Sequence, residues 1–156
     1  MGKERNKAVP AVYLILEKGD EILLMRRQNS GYYEGWYSVP AGHVEAGELP
    51  LDALLLEVKE ELGIELNKSK IRLVHSMYRT KHDETGDRMD LFFVATRWSG
   101  ELVNGEPHKC SDIRWFPIAA LPEHTVHHVR EAVANVEDGV TYSELGLNRI
   151  AQNPSG

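Results

Sequence analysis

Apolar residues recur along the chain in two periods, one typical of strands and one typical of helices. Short runs rich in β-branched and aromatic residues predict strands, and turn residues at 17–20 predict that the first two form a hairpin. The run 91–95 carries no charge, which predicts a strand buried on both faces. The predicted strands are residues 8–16, 21–26, 36–39, 70–79, 89–98 and 112–116.

Two segments have helical periodicity instead. In residues 50–62 the apolar positions form one stripe along about three turns, with Pro50 suited to the first turn and Gly63 to the end. A second helix is predicted over residues 123–136, where valines recur at helical spacing. The stripe of the first helix consists of Leu51, Leu54, Leu55, Val58 and Leu62.

The first predicted helix also carries an acidic cluster. At about 100° per residue, Glu57, Glu60 and Glu61 fall on the face opposite the apolar stripe. Like charges three or four residues apart cost a few tenths of a kcal/mol per pair, which a solvated acidic face tolerates. Clustered carboxylate oxygens are also the ligands that Mg²⁺ and Mn²⁺ prefer. The pattern leaves both interpretations open.

The segment that contains this helix resembles the signature of the Nudix hydrolases, G-x5-E-x7-R-E-U-x-E-E-x-G-U, in which U is a bulky aliphatic residue. Eight of the nine specified positions are filled, and Leu56 stands where the pattern has arginine. The matching residues are Gly42, Glu48, Glu57, Val58, Glu60, Glu61, Gly63 and Ile64.

This resemblance implies an α/β fold, the Nudix α/β/α sandwich with a mixed β-sheet. It also implies hydrolysis of a nucleoside diphosphate linked to another group, with Mg²⁺ or Mn²⁺ as cofactor. The chain looks most similar to MutT-like nucleotide-sanitising members, which implies a nucleoside triphosphate, oxidised or not, cleaved to monophosphate and pyrophosphate. ADP-ribose, a nucleotide sugar or a dinucleoside polyphosphate are alternative substrates. A silent nucleotide-binding module that acts as a sensor is the alternative function.

The resemblance also implies roles for particular residues. Glu57, Glu60 and Glu61, with the backbone of Gly42, would hold the metal. Glu57, Glu60 and Glu106 are the candidate catalytic groups, and which glutamate is the general base varies within the family. Arg27 and His43 are candidate phosphate contacts, and Trp115 is a candidate wall of the base pocket. Glu106 lies in a polar loop, residues 99–110, between two predicted strands.

Leu56 is the departure from the pattern with the largest consequence. The arginine of the signature pairs with the neighbouring glutamates and orients them. Three explanations are open for its absence: the metal ions alone organise the site, another arginine such as Arg79 substitutes, or catalysis is weak.

Composition narrows the class of protein. The length of 156 residues predicts one domain, at residues 8–140, between a flexible segment 1–7 and a tail 141–156. A formal charge of −6 gives no support for binding nucleic-acid polymers. No apolar run is long enough to cross a membrane, the start lacks a secretory signal, and Cys110 has no partner, so we expect a cytoplasmic protein. A homodimer remains open.

Overall fold

The computed structural model describes residues 4–80 and 86–146. Most of the turn predicted at 81–86 therefore lies outside the described residues. The strands are β1 Ala8–Lys18, β2 Glu21–Arg27, β3 Tyr37–Ser38, β4 Ala41–His43, β5 Arg72–Arg79, β6 Asp87–Ala95, β7 Cys110–Pro117 and β8 Tyr142–Leu145. The α-helices are α1 Pro50–Leu62 and α2 His127–Glu137, and short 3₁₀ turns lie at Lys68–Lys70 and Ile118–Ala120.

Strand β1 is the centre of the sheet. Over Ala8–Leu16 it pairs in parallel with β6, and its other edge pairs with the short antiparallel strand β4. Its last two residues turn to pair with β2, which in turn pairs with β3 and β7. On the far side, β6 pairs with β5 and β5 pairs in parallel with β8. The mixed sheet predicted from the sequence is confirmed.

Alternation along β1 separates two apolar cores. Tyr13 and Ile15 point to the side covered by α2, whereas Leu14 and Leu16 point to the side covered by α1. Because successive side chains of a strand face opposite ways, a strand that is apolar at every position must be covered on both faces. The fold is therefore an α/β/α sandwich, as the sequence indicated.

The second helix begins later than its periodicity predicted. Residues 123 and 124 form a turn instead, and the next two residues are held on β3: the backbone N–H of Val126 donates to the carbonyl of Tyr37 at 2.8 Å, and Thr125 forms an isolated bridge with the same residue. The hydroxyl of Thr125 donates to the carbonyl of Pro122. These bonds hold the segment against β3, and α2 starts at His127.

The predicted tail contains a strand. Tyr142–Leu145 adds to β5 at the edge of the sheet, which corrects the expectation of an unstructured segment for these four residues. Buried His75 fixes this addition: its Nδ1 donates to the carbonyl of Val140 at 2.8 Å, and its Nε2 accepts from the hydroxyl of Ser143 at 2.7 Å. The strand is mostly polar, so hydrophobic patterning could not reveal it.

No helix in the described part of the chain is long and apolar enough to cross a membrane.

The different burial of Leu54 and Leu56 on α1 predicts that replacing them by alanine lowers the free energy of unfolding by different amounts. Leu54 is fully buried between the helix and the sheet, whereas Leu56 is 51% exposed. We expect Leu54→Ala to lower the free energy of unfolding by about 2–5 kcal/mol, because it leaves a cavity in a packed core. The matched control Leu56→Ala should change it by about 0.5 kcal/mol or less. Urea titration followed by circular dichroism measures both, and equal losses would contradict the helix orientation.

Candidate active site

One cavity of about 810 Å³ opens between β1, β4, α1, α2 and the loops that precede β3 and β7. Its acidic side is formed by Glu57, Glu61 and Glu106. Basic side chains also line the cavity, and they come from several different elements. They are Arg26, Arg27, His43, Arg79, Arg88, Lys109 and His128. The cavity therefore combines oxygen ligands for a cation with groups that can bind an anion.

Glu57 reaches the cavity across the backbone of β4. A Cβ at position 42 would lie 2.6 Å from Oε1 of Glu57 and closer still to its other side-chain atoms. Only glycine at this position leaves room for the carboxylate to lie against the strand. The invariant spacing between Gly42 and Glu57 in the signature thus has a steric cause in this structure.

Glu61 lies one turn further along α1 and is largely enclosed. Its Oε2 is buried and has no hydrogen-bond partner in the described part of the chain. Burial, and then the contact with Glu57, raises the pKa of Glu61 to about 9. Burial also raises the pKa of Glu57, and the charges of Glu60 and Glu106 add to the rise. Within residues 4–80 and 86–146, neither of these two adjacent carboxyl groups forms an ion pair with a basic side chain.

The loop that carries Glu106 is fixed to the end of α1. The backbone N–H groups of Val103 and Gly105 donate to the helix carbonyls of Leu62 and Glu61, at 3.0 and 2.9 Å. These carbonyls have no partner inside the helix, so the loop satisfies them. A Cβ at position 105 would collide with the carbonyl of Glu60, so this close approach requires glycine.

The side chain of Asn104 forms hydrogen bonds with two backbone groups of the same loop. Its Nδ2 donates to the carbonyl of Cys110 at 2.7 Å, and its Oδ1 accepts from the backbone N–H of Glu106 at 3.1 Å. The side chain of Glu106 makes no hydrogen bond within the described residues and faces the cavity. A carboxylate that is fixed by its backbone but free at its oxygens is available to a substrate or to water.

A second loop, residues 28–35, packs against this one. Gln28 Nε2 donates to the carbonyl of Pro107 at 2.6 Å, and Asn29 Nδ2 donates to the carbonyl of His108 at 2.7 Å. Arg27 Nε donates to the carbonyl of Tyr32 at 3.0 Å, which fixes the guanidinium at the edge of the cavity. The predicted phosphate contact therefore lies in the same cavity as the carboxylates.

The structure brings together most of the predicted site residues and separates two of them. Gly42, His43, Glu57, Glu61, Glu106 and Arg27 all line the cavity. Glu60 is exposed and does not line it, although its charge acts on Glu57. Glu61 is enclosed, so the three helix glutamates do not share one open face as the helical wheel predicted.

Trp115 lies outside the cavity, which corrects its predicted place in a base pocket. Its indole stacks on Trp98 with a centroid distance of 5.9 Å, and the Nζ of Lys18 lies 4.4 Å from its ring. Position 115 pairs with Leu23 of β2, on the α1 side of the sheet. Tyr32 and Tyr33 are the aromatic residues of the 28–35 loop that line the cavity instead.

Arg79 does not replace the arginine missing at position 56. It lines the cavity, but its guanidinium is bound to Asp90 on the neighbouring strand. Asp90 was not among the predicted site residues. Its ion pair could have been expected from its position directly before the apolar run 91–95, since a charged residue in a buried strand needs a partner of opposite charge.

The donor set fits a divalent ion. No three Asp, Glu, His or Cys side chains within residues 4–80 and 86–146 already form a complete metal site. Mg²⁺ needs only one or two protein carboxylates, because waters and substrate phosphates supply its remaining oxygen ligands. Glu57 and Glu61 provide two adjacent carboxylates, and the unpartnered buried oxygen of Glu61 lacks any other ligand within the described residues.

Comparison with protein families finds the NUDIX domain over residues 5–136. The chain is 31% identical over 122 residues to an ADP-ribose pyrophosphatase of Methanocaldococcus jannaschii, covering 76% of this chain and 69% of that protein. It is 36% identical over 114 residues to an NAD-capped RNA hydrolase, NudC, of Pseudomonas putida, covering 72% of this chain. The chain spans only 38% of the length of that second relative.

Solved structures share the fold at lower identity. A MutT NUDIX hydrolase from Burkholderia pseudomallei superposes with a TM-score of 0.74 at 24% identity, covering 83% of this chain and 98% of that one. A MutT protein from Bacillus halodurans gives a TM-score of 0.71 at 22% identity, covering 88% and 89% of the two chains. These likenesses confirm the predicted sandwich.

The raised pKa of Glu61 predicts a stability change that depends on pH. Because the folded protein binds this proton more tightly than the unfolded chain, the stabilisation is complete below about pH 4.5 and is lost as the pH rises towards about 9. We therefore expect Glu61→Gln to raise the melting temperature of the metal-free protein at pH 8.5 but not at pH 4.5. Each kcal/mol recovered should raise it by about 2–4 °C.

The melting temperature of Glu61→Gln should rise less on addition of Mn²⁺ than that of the wild type. Mn²⁺ should raise the melting temperature of the wild type, because a ligand that binds only the folded state stabilises it. Glu61→Gln should lose most of this increase. The control Glu65→Gln, which removes an exposed carboxylate just beyond α1, should respond to Mn²⁺ like the wild type. An unchanged Mn²⁺ response in Glu61→Gln would rule out Glu61 as a ligand.

Proposed function

The chain belongs to the NUDIX family of pyrophosphohydrolases, and from that premise we propose that it hydrolyses nucleoside triphosphates to monophosphates and pyrophosphate with Mg²⁺ or Mn²⁺. The observation that carries the proposal is the enclosed pair Glu57 and Glu61. This pair lies in one cavity with Arg27 and Lys109. In the part of the chain that the structure describes, the two carboxyl groups pair with no cation and Arg27 and Lys109 pair with no anion, a combination that suits a metal-bound polyphosphate.

A divalent ion at this site would neutralise phosphate charge and make a bound water more acidic. Glu57 and Glu61 are the residues that would hold it, with the backbone of Gly42 beside them. Glu60 is exposed on the helix and does not line the cavity, so it is not assigned as a ligand here. Nudix hydrolases generally use divalent metal ions and act on small nucleotide substrates.

The basic residues of the cavity would orient the polyphosphate. The guanidinium of Arg27 is already fixed through its Nε, so its remaining N–H groups can donate to phosphate oxygens. His43 and Lys109 line the same cavity and add donors from two other segments. Fixing the polyphosphate in this way places the scissile bond against the acidic side.

Glu106 is the general base in this proposal. A water attacks phosphorus, its proton passes to the Glu106 carboxylate, and the bond between the α- and β-phosphoryl groups breaks to release pyrophosphate. Glu106 suits this role because its carboxylate oxygens accept no hydrogen bond from any described residue, while its backbone N–H is bound by Asn104. Glu57 is the alternative base, but its carboxyl group is packed against Gly42 and Glu61, where it is better placed to hold the ion.

ADP-ribose is the second candidate substrate. It is favoured by the 31% identity with the ADP-ribose pyrophosphatase of Methanocaldococcus jannaschii, which covers more than two thirds of both chains. The cavity of about 810 Å³ also has room for a group beyond the diphosphate. Incubating the protein and Mg²⁺ with nucleoside triphosphates and with ADP-ribose, and identifying the products by chromatography, decides between the two.

Removal of the proposed base tests the mechanism. Glu106→Gln should lower kcat for the best substrate by about 10²–10⁴-fold, because general base catalysis contributes factors of this size. The control Glu101→Gln changes an exposed glutamate of the same loop and should leave kcat unchanged. Steady-state kinetics at saturating Mg²⁺ measures both. A loss confined to Glu57→Gln, with Glu106→Gln fully active, would assign the base to Glu57 instead.

Restoring the arginine of the signature tests the alternative of a silent or weak enzyme. Residue 56 lies one helical turn before Glu60, so an arginine there can pair with that glutamate. We expect Leu56→Arg to raise kcat/KM by a few-fold. Leu56→Lys serves as the control: it adds a positive charge but lacks the planar guanidinium that binds a carboxylate through two N–H groups, and it should raise kcat/KM less. A lower rate in Leu56→Arg would mean that the site is already organised without an arginine.

A further inference from the structure

The loop of residues 28–35 is organised around one carboxylate that the proposed reaction does not use. The side chain of Glu34 accepts hydrogen bonds from three successive backbone N–H groups: Asn29 at 3.0 Å, Gly31 at 2.8 Å, and Ser30 between them. The N–H groups of Gly31 and Ser30, followed by that of Asn29, lower the pKa of the Glu34 carboxyl, so it stays ionised at neutral pH. The loop therefore closes on a charged group of its own.

The backbone of this loop needs such support, because two of its residues are strained. Asn29 and Tyr33 both have a φ of 54°, in the left-handed region that residues other than glycine rarely adopt. Such a conformation persists only where the surrounding structure fixes it. Glu34 follows Tyr33 in the chain and binds the N–H of Asn29, so its carboxylate constrains the backbone at both positions.

A short series of hydrogen bonds joins Glu34 to the proposed phosphate contact. Ser30, whose N–H donates to Glu34, also donates from its hydroxyl to the carbonyl of Tyr32 at 2.7 Å. The same carbonyl accepts a hydrogen bond from Nε of Arg27 at 3.0 Å. The position of the Arg27 guanidinium therefore depends on the conformation that Glu34 imposes on residues 29–32.

Glu34 itself is exposed and does not line the cavity, although four other residues of its loop do. A substrate in the cavity is therefore not in contact with this carboxylate. A negative charge near a polyphosphate weakens its binding by repulsion. A carboxylate on this loop is explained if its effect on Arg27 outweighs that repulsion.

We propose that Glu34 is a positioning residue for the proposed reaction: it fixes its loop so that the Arg27 guanidinium meets the polyphosphate. This inference rests on the proposed function, since it takes Arg27 as a phosphate contact. Glu106 is held by separate contacts within the loop 99–110 and at the end of α1. Glu34 should therefore act on the binding of the substrate and not on the attack by water.

Replacing the carboxylate by its neutral isostere tests this role, because repulsion and positioning predict opposite signs. If Glu34 only repelled the polyphosphate, Glu34→Gln would lower KM. The proposal predicts that Glu34→Gln raises KM about 10-fold, as expected when a hydrogen bond from a charged group is lost, with kcat within about twofold of the wild type. Glu34→Asp keeps the charge on a shorter side chain, and it carries the same prediction if Glu34→Gln does not fold. The control Glu123→Gln removes an exposed carboxylate next to His124 and should leave KM unchanged.

A double-mutant cycle shows whether Glu34 acts through Arg27. In the Arg27→Ala background, Glu34→Gln should have no further effect on KM, because the guanidinium that Glu34 positions is gone. Equal increases in KM in both backgrounds would overturn the proposal, by assigning Glu34 to general support of the fold. A KM in Glu34→Gln at or below the wild-type value would also overturn it.

Binding of an analogue separates this inference from the proposed reaction. Water does not cleave the bond between the α- and β-phosphoryl groups of α,β-methylene ATP, so calorimetry with Mg²⁺ measures its Kd without turnover. Glu34→Gln should raise this Kd about 10-fold in the wild-type background and leave it unchanged in the Arg27→Ala background. Failure to hydrolyse any nucleotide, with this pattern of Kd retained, would contradict the proposed function alone. An unchanged Kd in Glu34→Gln would overturn the role of Glu34 even in an active enzyme, and a wild type that does not bind the analogue would contradict both.

Discussion

Two carboxyl groups, Glu57 and Glu61, share one enclosed space at the wall of the cavity, and like charges there repel. Burial raises the pKa of both, and the Oε2 of Glu61 has no hydrogen-bond partner in the described residues. A buried oxygen without a partner costs free energy, which a purely structural residue would not need to retain. The pair is explained if a cation completes it, and in the proposed function the nucleotide chemistry of the cavity depends on that ion.

The backbone around the pair fixes its geometry. Gly42 lets the side chain of Glu57 lie against β4, and Gly105 lets the loop before β7 dock on the carbonyls at the end of α1. Asn104 then fixes the position of Glu106. Three segments distant in sequence therefore meet through glycines and backbone hydrogen bonds. This arrangement explains how the acidic site can be formed although Leu56 provides no arginine to orient the glutamates.

Hydrophobic patterning predicted the bounds of α1 and the burial of β6 on both faces, because burial on one or two faces leaves a direct pattern in the sequence. The layers of the sandwich were implied by the family resemblance. It did not reveal β8, which is polar and is held by His75. The helical wheel placed Glu61 on an open face, but its carboxyl group is enclosed beside Glu57 and the backbone of Ala41 in β4, a tertiary contact that helical spacing does not reveal. Trp115 was wrongly expected in the cavity, because a strand's facing depends on sheet pairing that local sequence does not contain.

The central claim is that the pair of carboxylates binds a divalent ion. The most direct measurement is an anomalous difference map at the manganese absorption edge, from crystals equilibrated with Mn²⁺. The account predicts a peak within about 2.0–2.3 Å of oxygens from both Glu57 and Glu61, a range that spans the bond lengths to Mg²⁺-like and slightly larger ions. A peak at another acidic cluster, with these two carboxylates left without metal at millimolar Mn²⁺, would contradict it.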